Sequence, residues 1–222
     1  PVCWPWFGAI SSPSHGFARI SEWQLYDVQD NEQEVIIKLS LNASEQSRAI
    51  WPHEFSTILL FTLSSTLKIS LDVKNTDSVP WCWSGALHTY FNIAHTQTTK
   101  ITGAGSTYID SLMNDQIVET EEDLLIDKSI DRVYMAPEDT IQIYDQGNNR
   151  VISINNHGDN AAVIWNPWDD ISKNMADMSD NGYITMVCVE ATRFARDLES
   201  GSIIRQGESQ MLSTEIRSIL QK

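Results

Sequence analysis

The strongest constraint on the fold is an alternation of apolar and polar side chains that recurs along the chain. In residues 66–74, every odd position is apolar and every even position is polar or charged. The segment 35–41 repeats the pattern with Val35, Ile37, Leu39 and Leu41. A strand with one buried and one solvated face has this period of two, so the pattern predicts half-buried β-strands.

Turn-forming residues divide the rest of the chain into many short strand candidates. Clusters of Asp, Asn and Gly, such as 147–149 and 180–182, are typical of turns between strands. Further strands are predicted at 23–28, 55–63, 87–94, 141–144, 151–154, 162–165, 184–191 and 211–216, and one short helix within 169–178. Such a series predicts an all-β fold, a large antiparallel sandwich or barrel. We expect a single domain over residues 1–222.

The composition excludes several classes of protein. Of the 222 residues, 41% are hydrophobic, which is enough for a core and excludes a disordered chain. The 30 Asp and Glu residues outnumber the 15 Lys and Arg residues, which gives a formal net charge of −15. Because that charge repels phosphate backbones, we expect no nucleic-acid partner. The apolar runs are far shorter than the roughly 18–20 residues of a membrane span, so we expect no membrane association.

The cysteines and histidines give no sign of a metal site or a disulfide framework. Cys3, Cys82 and Cys188 lie far apart, and an odd count without paired spacing suits a reducing compartment. We therefore expect buried thiols in a cytoplasmic protein. The five His residues show no ligand spacing, which disfavours a metal-dependent hydrolase. We expect no metal ion and no cofactor.

Two ionisable residues lie within predicted strands. His88 lies on the polar face of the strand 87–94, together with Tyr90 and Asn92. Glu190 lies in an apolar strand, where a carboxylate is costly to bury unless a cation pairs with it or a cavity faces it. A structural role is open for each residue. Brought together from two strands, they would form an acid–base pair for proton transfer near neutral pH.

A loop near the start of the chain carries a second group of polar residues. His15 and Arg19 follow the Ser- and Pro-rich residues 11–13, and both side chains suit oxygen-rich or anionic ligands. The alternative is an ordinary surface loop.

Six segments, in matching order, together resemble one known family. It is that of the glucose-6-phosphate 1-epimerases, or hexose-6-phosphate mutarotases, a branch of the aldose 1-epimerase (galactose mutarotase) superfamily. The segments are Pro1-Val2-Cys3-Trp4-Pro5-Trp6-Phe7-Gly8, His15-Gly16-Phe17-Ala18-Arg19, Ala86-Leu87-His88-Thr89-Tyr90-Phe91, Asp131-Arg132-Val133-Tyr134, Trp165-Asn166-Pro167-Trp168 and Met186-Val187-Cys188-Val189-Glu190.

The resemblance implies a fold and a reaction. The implied fold is a β-sandwich of the galactose mutarotase type. The implied reaction interconverts the α and β anomers of a hexose 6-phosphate without a metal ion or cofactor. His88 is implied as the general acid and Glu190 as the general base. The implied substrate contacts are Ser14, His15, Arg19 and Asp131.

Family members also have N-terminal strands that end in an Arg-Gly-Gly turn before the segment matching 1–8, and we expect this chain to lack them. An unpaired strand edge and an exposed apolar patch should result, and self-association at this N-terminal edge would cover them.

The alternative function is a non-catalytic carbohydrate-binding or regulatory module of the same fold. Turnover needs both His88 and Glu190, whereas binding needs mainly aromatic rings and Arg19.

Overall fold

Strands account for most of the regular structure in the computed structural model, which describes residues 1–221. The strands are β1 (Val2–Cys3), β2 (Gln24–Asp30), β3 (Val35–Asn42), β4 (Phe55–Leu63), β5 (Leu67–Asn75), β6 (Trp81–Trp83), β7 (Gly85–Leu87), β8 (Tyr90–Asn92), β9 (Thr99–Thr102), β10 (Thr107–Asp110), β11 (Gln116–Glu119), β12 (Leu124–Leu125), β13 (Ile130–Tyr134), β14 (Ile141–Asp145), β15 (Arg150–His157), β16 (Ala161–Asn166), β17 (Met186–Arg193), β18 (Ser202–Ile204) and β19 (Ser209–Leu220). The α-helices are α1 (Glu45–Ile50) and α2 (Trp168–Ser172), and 3₁₀ turns lie at Ala18–Ile20, Thr96–Thr98, Ser111–Met113, Gln146–Asn148 and Gly182–Thr185. The predicted all-β class is confirmed.

The chain separates into two units, and the first contains residues 1–87, 156–159 and 191–215. In this unit β2, β3, β4 and β5 pair in sequence as an antiparallel meander. The predicted alternation explains the burial along β5, where Leu71 and Val73 are fully buried and Lys74 is exposed. One domain over residues 1–222 stays a prediction.

An aromatic cluster fills the core of the first unit. The Trp4 ring contacts Phe55, Trp51 and Phe17 edge-on, with centroid distances of 4.7, 5.4 and 5.8 Å. Edge-to-face pairs of this kind add to the stability from buried apolar area. The apolar residues at the start of the chain therefore contribute to the core, since Trp4 and Trp6 are both almost completely buried.

Strand β2 presents apolar side chains to solvent. It is an edge strand of its sheet, and its side chains Leu25, Tyr26 and Val28 are 66%, 68% and 52% exposed. Self-association at an N-terminal edge and the lack of N-terminal strands stay predictions.

The second unit contains residues 88–155, 160–190 and the chain from 216. One sheet runs β16, β13, β10, β11 and another runs β12, β9, β14, β15, and all of these pairs are antiparallel. Their apolar side chains form one core. Its largest fully buried members are Tyr134, Ile93, Ile101, Ile126, Ile130, Ile141 and Ile143.

The predicted strand 87–94 is interrupted in the structure. β7 ends at Leu87 and β8 begins at Tyr90, so His88 and Thr89 lie between two strands. The expectation that His88 sits in mid-strand was wrong. The pairing with β17 nevertheless continues across the break, because the Thr89 carbonyl oxygen accepts a hydrogen bond from the Val189 N–H at 3.3 Å.

Helix α2 matches the short helix predicted within 169–178, except that it begins one residue earlier, at Trp168, and ends at Ser172. Asn166 Oδ1 accepts a hydrogen bond from the Trp168 N–H at 2.9 Å at its start. At its end, Ser172 Oγ donates to the carbonyl oxygens of Asp169 and Asp180 at 3.0 and 2.8 Å. Within residues 1–221, the helices are too short and too polar to cross a membrane.

Candidate active site

The side chains of His88 and Glu190 are in direct contact in the second unit. His88 Nε2 lies 3.3 Å from Glu190 Oε1. The Glu190 side chain is 1% exposed and the His88 side chain 13% exposed, so the pair is almost removed from water. An imidazole and a carboxyl group at this distance can exchange protons with one substrate.

Strand register positions the two groups. β8 and β17 pair antiparallel, with Val187 opposite Phe91 and Cys188 opposite Tyr90. Two residues further in each segment, the same pairing places Glu190 opposite His88, which lies just before β8. Side chains that oppose each other, or lie two positions apart on a strand, share a face of the sheet. Backbone pairing therefore groups His88, Tyr90, Cys188 and Glu190.

Two aromatic rings hold the imidazole in place. The Tyr90 ring stacks on the His88 ring at a centroid distance of 4.8 Å and an interplanar angle of 11°. Trp165 contacts the rings of both His88 and Tyr90 edge-on, at 6.2 Å in each case. Tyr90 is 47% exposed, so its ring reaches from the buried His88–Glu190 pair to solvent.

Asp131 adds a second carboxyl group to this unit. It pairs with Trp165 across β13 and β16, so the two side chains share a face. Burial, followed by the charges of Asp110 and Asp115, raises the pKa of Asp131 against a hydrogen bond from Ser111. Burial, followed by the charge of Asp131, raises the pKa of Glu190 well above the ordinary glutamate value. A raised pKa makes the Glu190 carboxylate a stronger proton acceptor.

The other predicted site residues lie together in the first unit. The backbone of His15 is left-handed, with φ 64°, and its Nδ1 accepts a hydrogen bond from the Gly8 N–H at 3.3 Å. Burial, followed by the charge of Arg19, lowers the pKa of His15. Ser14 is exposed and its Oγ donates to the Gly8 carbonyl oxygen at 3.4 Å. Arg19 is exposed in a 3₁₀ turn. The roles of these three residues in substrate binding stay predictions.

Cys188 is a site neighbour that the sequence did not reveal as such. The sequence predicted only a buried thiol, and Cys188 is fully buried. His88, Cys188 and Glu190 each offer one atom that could bind a metal ion, and these three atoms lie within 4.8 Å of one another. The spacing of two residues from Glu190 on a predicted strand was the available signal, because it places both side chains on one face.

Comparison with known proteins identifies the family of the chain. The family model described as aldose 1-epimerase matches residues 1–217. A curated protein of Salmonella typhimurium named "Putative glucose-6-phosphate 1-epimerase" is 36% identical over 199 residues, covering 86% of this chain and 65% of that protein. A protein of the same name from Escherichia coli is 34% identical over 208 residues, covering 90% and 67%. The chain thus spans about two thirds of the length of these relatives.

Solved structures agree with this assignment. The crystal structure of a "putative mutarotase" from Salmonella typhimurium superposes with a TM-score of 0.91 at 31% identity, over 100% of this chain and 74% of that one. A protein from Synechocystis superposes with a TM-score of 0.82 at 15% identity, over 98% and 77%, and shares the fold. The resemblance of the six sequence segments is confirmed, and the chain belongs to the aldose 1-epimerase family.

Proposed function

We propose that the protein interconverts the α and β anomers of a hexose 6-phosphate. The observation that carries this proposal is the 3.3 Å contact between His88 Nε2 and Glu190 Oε1, almost fully buried, in a member of the aldose 1-epimerase family. The names of the curated relatives supply the sugar phosphate.

The chemistry of a hemiacetal explains why the two groups lie side by side. Ring opening removes a proton from the anomeric hydroxyl O1, breaks the bond between C1 and the ring oxygen O5, and protonates O5. Because O1 and O5 are both bonded to C1, the acid and the base must be near neighbours. Glu190 takes the O1 proton and His88 gives one to O5. The aldehyde then turns about C1–C2, and the reverse transfers close the ring on either face.

Other residues of the chain suit the rest of a sugar. The exposed part of the Tyr90 ring offers an apolar surface for a pyranose face, and the Asp131 carboxylate can accept hydrogen bonds from hydroxyl groups. Arg19 supplies a cation for the phosphate in a chain of net charge −15. A hexose 6-phosphate as substrate, with contacts from Ser14, His15, Arg19 and Asp131, is part of the same proposal.

The alternative is a carbohydrate-binding or regulatory module without turnover. Aromatic rings and polar side chains suffice for binding. Binding alone does not account for a carboxyl group of raised pKa in contact with an imidazole, because such a pair serves proton transfer. Turnover therefore explains the site better.

Exchange NMR between the anomers of glucose 6-phosphate tests the proposal. Spontaneous exchange is subtracted. His88→Asn and Glu190→Gln should each lower kcat by about 10²- to 10⁴-fold, the usual contribution of a positioned acid or base. The exposed residues His157 and Glu121 provide the matched controls His157→Asn and Glu121→Gln, which should keep the original rate. Full turnover in either site variant would overturn the assignment.

The substrate's phosphate is tested through Arg19→Ala. Charge-assisted hydrogen bonds contribute about 1.5–3 kcal/mol, so KM for glucose 6-phosphate should rise roughly 10- to 150-fold while KM for glucose changes little. An equal change for both sugars would show that Arg19 has no role in phosphate binding.

A further inference from the structure

A buried thiol beside the proposed acid–base pair gives this face the composition of a transition-metal site. Imidazole, thiolate and carboxylate are the three ligand types that zinc takes in proteins. The structure offers one of each within 4.8 Å of the others, from His88, Cys188 and Glu190. Cys188 and Glu190 are two positions apart on β17, and His88 comes from the neighbouring segment of chain.

The distances fit a tetrahedral ion. With Zn–N and Zn–O bonds of about 2.0–2.2 Å, two such ligands stand about 3.3–3.5 Å apart at a tetrahedral angle. His88 Nε2 and Glu190 Oε1 are 3.3 Å apart. A thiolate at about 2.3 Å from the ion should stand about 3.6 Å from the imidazole nitrogen. Since the ligand atoms already lie within 4.8 Å of one another, no pair of them has to approach by more than about 1.2 Å to reach this spacing.

The ligand types also determine which ions fit. A thiolate and an imidazole favour Zn²⁺ over Mg²⁺ and Ca²⁺, which prefer oxygen ligands throughout. Three protein ligands leave the fourth tetrahedral position to a water molecule. When the ion binds, the Cys188 thiol and the His88–Glu190 pair release to solvent the protons they hold, so that the ligands are a thiolate, a neutral imidazole and a carboxylate.

We propose that His88, Cys188 and Glu190 form a Zn²⁺ site whose occupancy reversibly blocks the protein's reaction. The bound ion occupies both the imidazole nitrogen and the carboxylate oxygen that proton transfer needs, so one ion removes acid and base together. Inhibition rests on the proposed epimerase function, whereas metal binding does not.

Cobalt absorption tests the site independently of activity. The chain is titrated with Co²⁺, whose bond to a thiolate gives a near-ultraviolet charge-transfer band. The band should appear with one equivalent, disappear when Zn²⁺ is added, and persist in the control Cys82→Ser, which alters a partly exposed thiol in the first unit. Cys188→Ser should abolish the band. His88→Ala keeps the thiol but should weaken Co²⁺ binding, so the test does not depend on one variant folding.

The kinetic arm uses anomer exchange of glucose 6-phosphate with added Zn²⁺. Zn²⁺ should inhibit, a chelator should restore the rate, and Mg²⁺ should have no effect. Relative to its own rate without metal, Cys188→Ser should need more than about 100-fold more Zn²⁺, because even loss of an outer-shell partner costs 10- to 100-fold. Absence of the band, or a band that persists in Cys188→Ser, overturns the site. Turnover without Co²⁺ binding refutes only the metal site, and Co²⁺ binding without turnover refutes only the function.

Discussion

Replacing Glu190 by glutamine should stabilise the protein while it removes the proposed base. The carboxyl group is 1% exposed, and burial together with the charge of Asp131 raises its pKa. In the unfolded chain the same group ionises in water at its ordinary pKa. As pH rises, the unfolded state therefore loses its proton first, and stability falls. A glutamine has nearly the same size and does not titrate.

The magnitude follows from proton linkage. Below the ordinary glutamate pKa of about 4.3, both states hold the proton and the titration contributes nothing. Above it, the wild-type protein loses about 1.4 kcal/mol of stability per pH unit relative to Glu190→Gln, until pH passes the raised pKa of the folded state. At pH 7 the gain of the variant therefore has a ceiling of about 1.36 × 2.7, or about 3.7 kcal/mol.

Urea unfolding measures this gain directly. Free energies of unfolding are determined for the wild type and Glu190→Gln at intervals from about pH 5 to about pH 8, with the slopes m compared to verify two-state behaviour. The difference between the two proteins should grow with pH and then level off. Glu121→Gln, which alters an exposed carboxyl group, should give a flat difference near zero.

A difference that stays flat, or that favours the wild type more at higher pH, would refute the reasoning. A flat difference would mean that the pKa of Glu190 is the same in the folded and unfolded states. A difference that increasingly favours the wild type would mean that contact with His88 stabilises the ionised carboxylate more than burial penalises it, so that its pKa is lowered. The anomer exchange assay on the same samples then shows whether loss of the base and gain of stability occur together.

Two further predictions concern stability measured by urea unfolding. Asp145 is fully buried, and burial raises its pKa. Hydrogen bonds from the Ala94 N–H, Asn148 and Arg150 outweigh burial and lower the pKa below the ordinary Asp value. The stabilisation from Asp145 is therefore present at pH values above the ordinary Asp pKa and is lost as pH falls. Asp145→Ala should cost about 3–5 kcal/mol, and Asp123→Ala, at an exposed ion pair, at most about 1; equal costs would contradict this. Gly16→Ala should destabilise the protein more than Gly8→Ala. Both glycines have positive φ, but an added Cβ at Gly16 would stand 2.1 Å from a backbone oxygen, whereas no atom lies within 4 Å of a Cβ added at Gly8. A smaller loss of stability for Gly16→Ala would contradict the steric argument.

The alternation of side chains predicted the fold class because it reports directly on which face of a strand is buried. At β5 it placed Leu71 and Val73 correctly in the core. It failed at 87–94, because apolar character continues through a point where the regular strand stops. Side-chain pattern reports burial, whereas strand boundaries depend on backbone pairing with a partner strand, which for β8 is β17, almost a hundred residues along the chain.

The candidate site shows the same division. His88 and Glu190 were each unusual in their own segment, which made them visible in the sequence. Their contact depends on the register between β8 and β17, which no local pattern encodes, whereas the two-residue spacing of Cys188 from Glu190 is a local signal. The role of Trp165 as a ring neighbour of His88 was hidden for the same reason, whereas the spacing of Tyr90 had already placed it on the face of His88.

The register of β17 against β8 has a consequence for how this family can vary. The spacing between the proposed acid and base is a property of the main-chain ladder, so changes of neighbouring side chains leave it intact. One residue inserted or deleted between Met186 and Glu190 would turn Glu190 to the opposite face of the sheet, because the side-chain period of a strand is two. Active relatives should therefore accept substitutions in these strands freely but preserve their length, with insertions confined to the turns outside them.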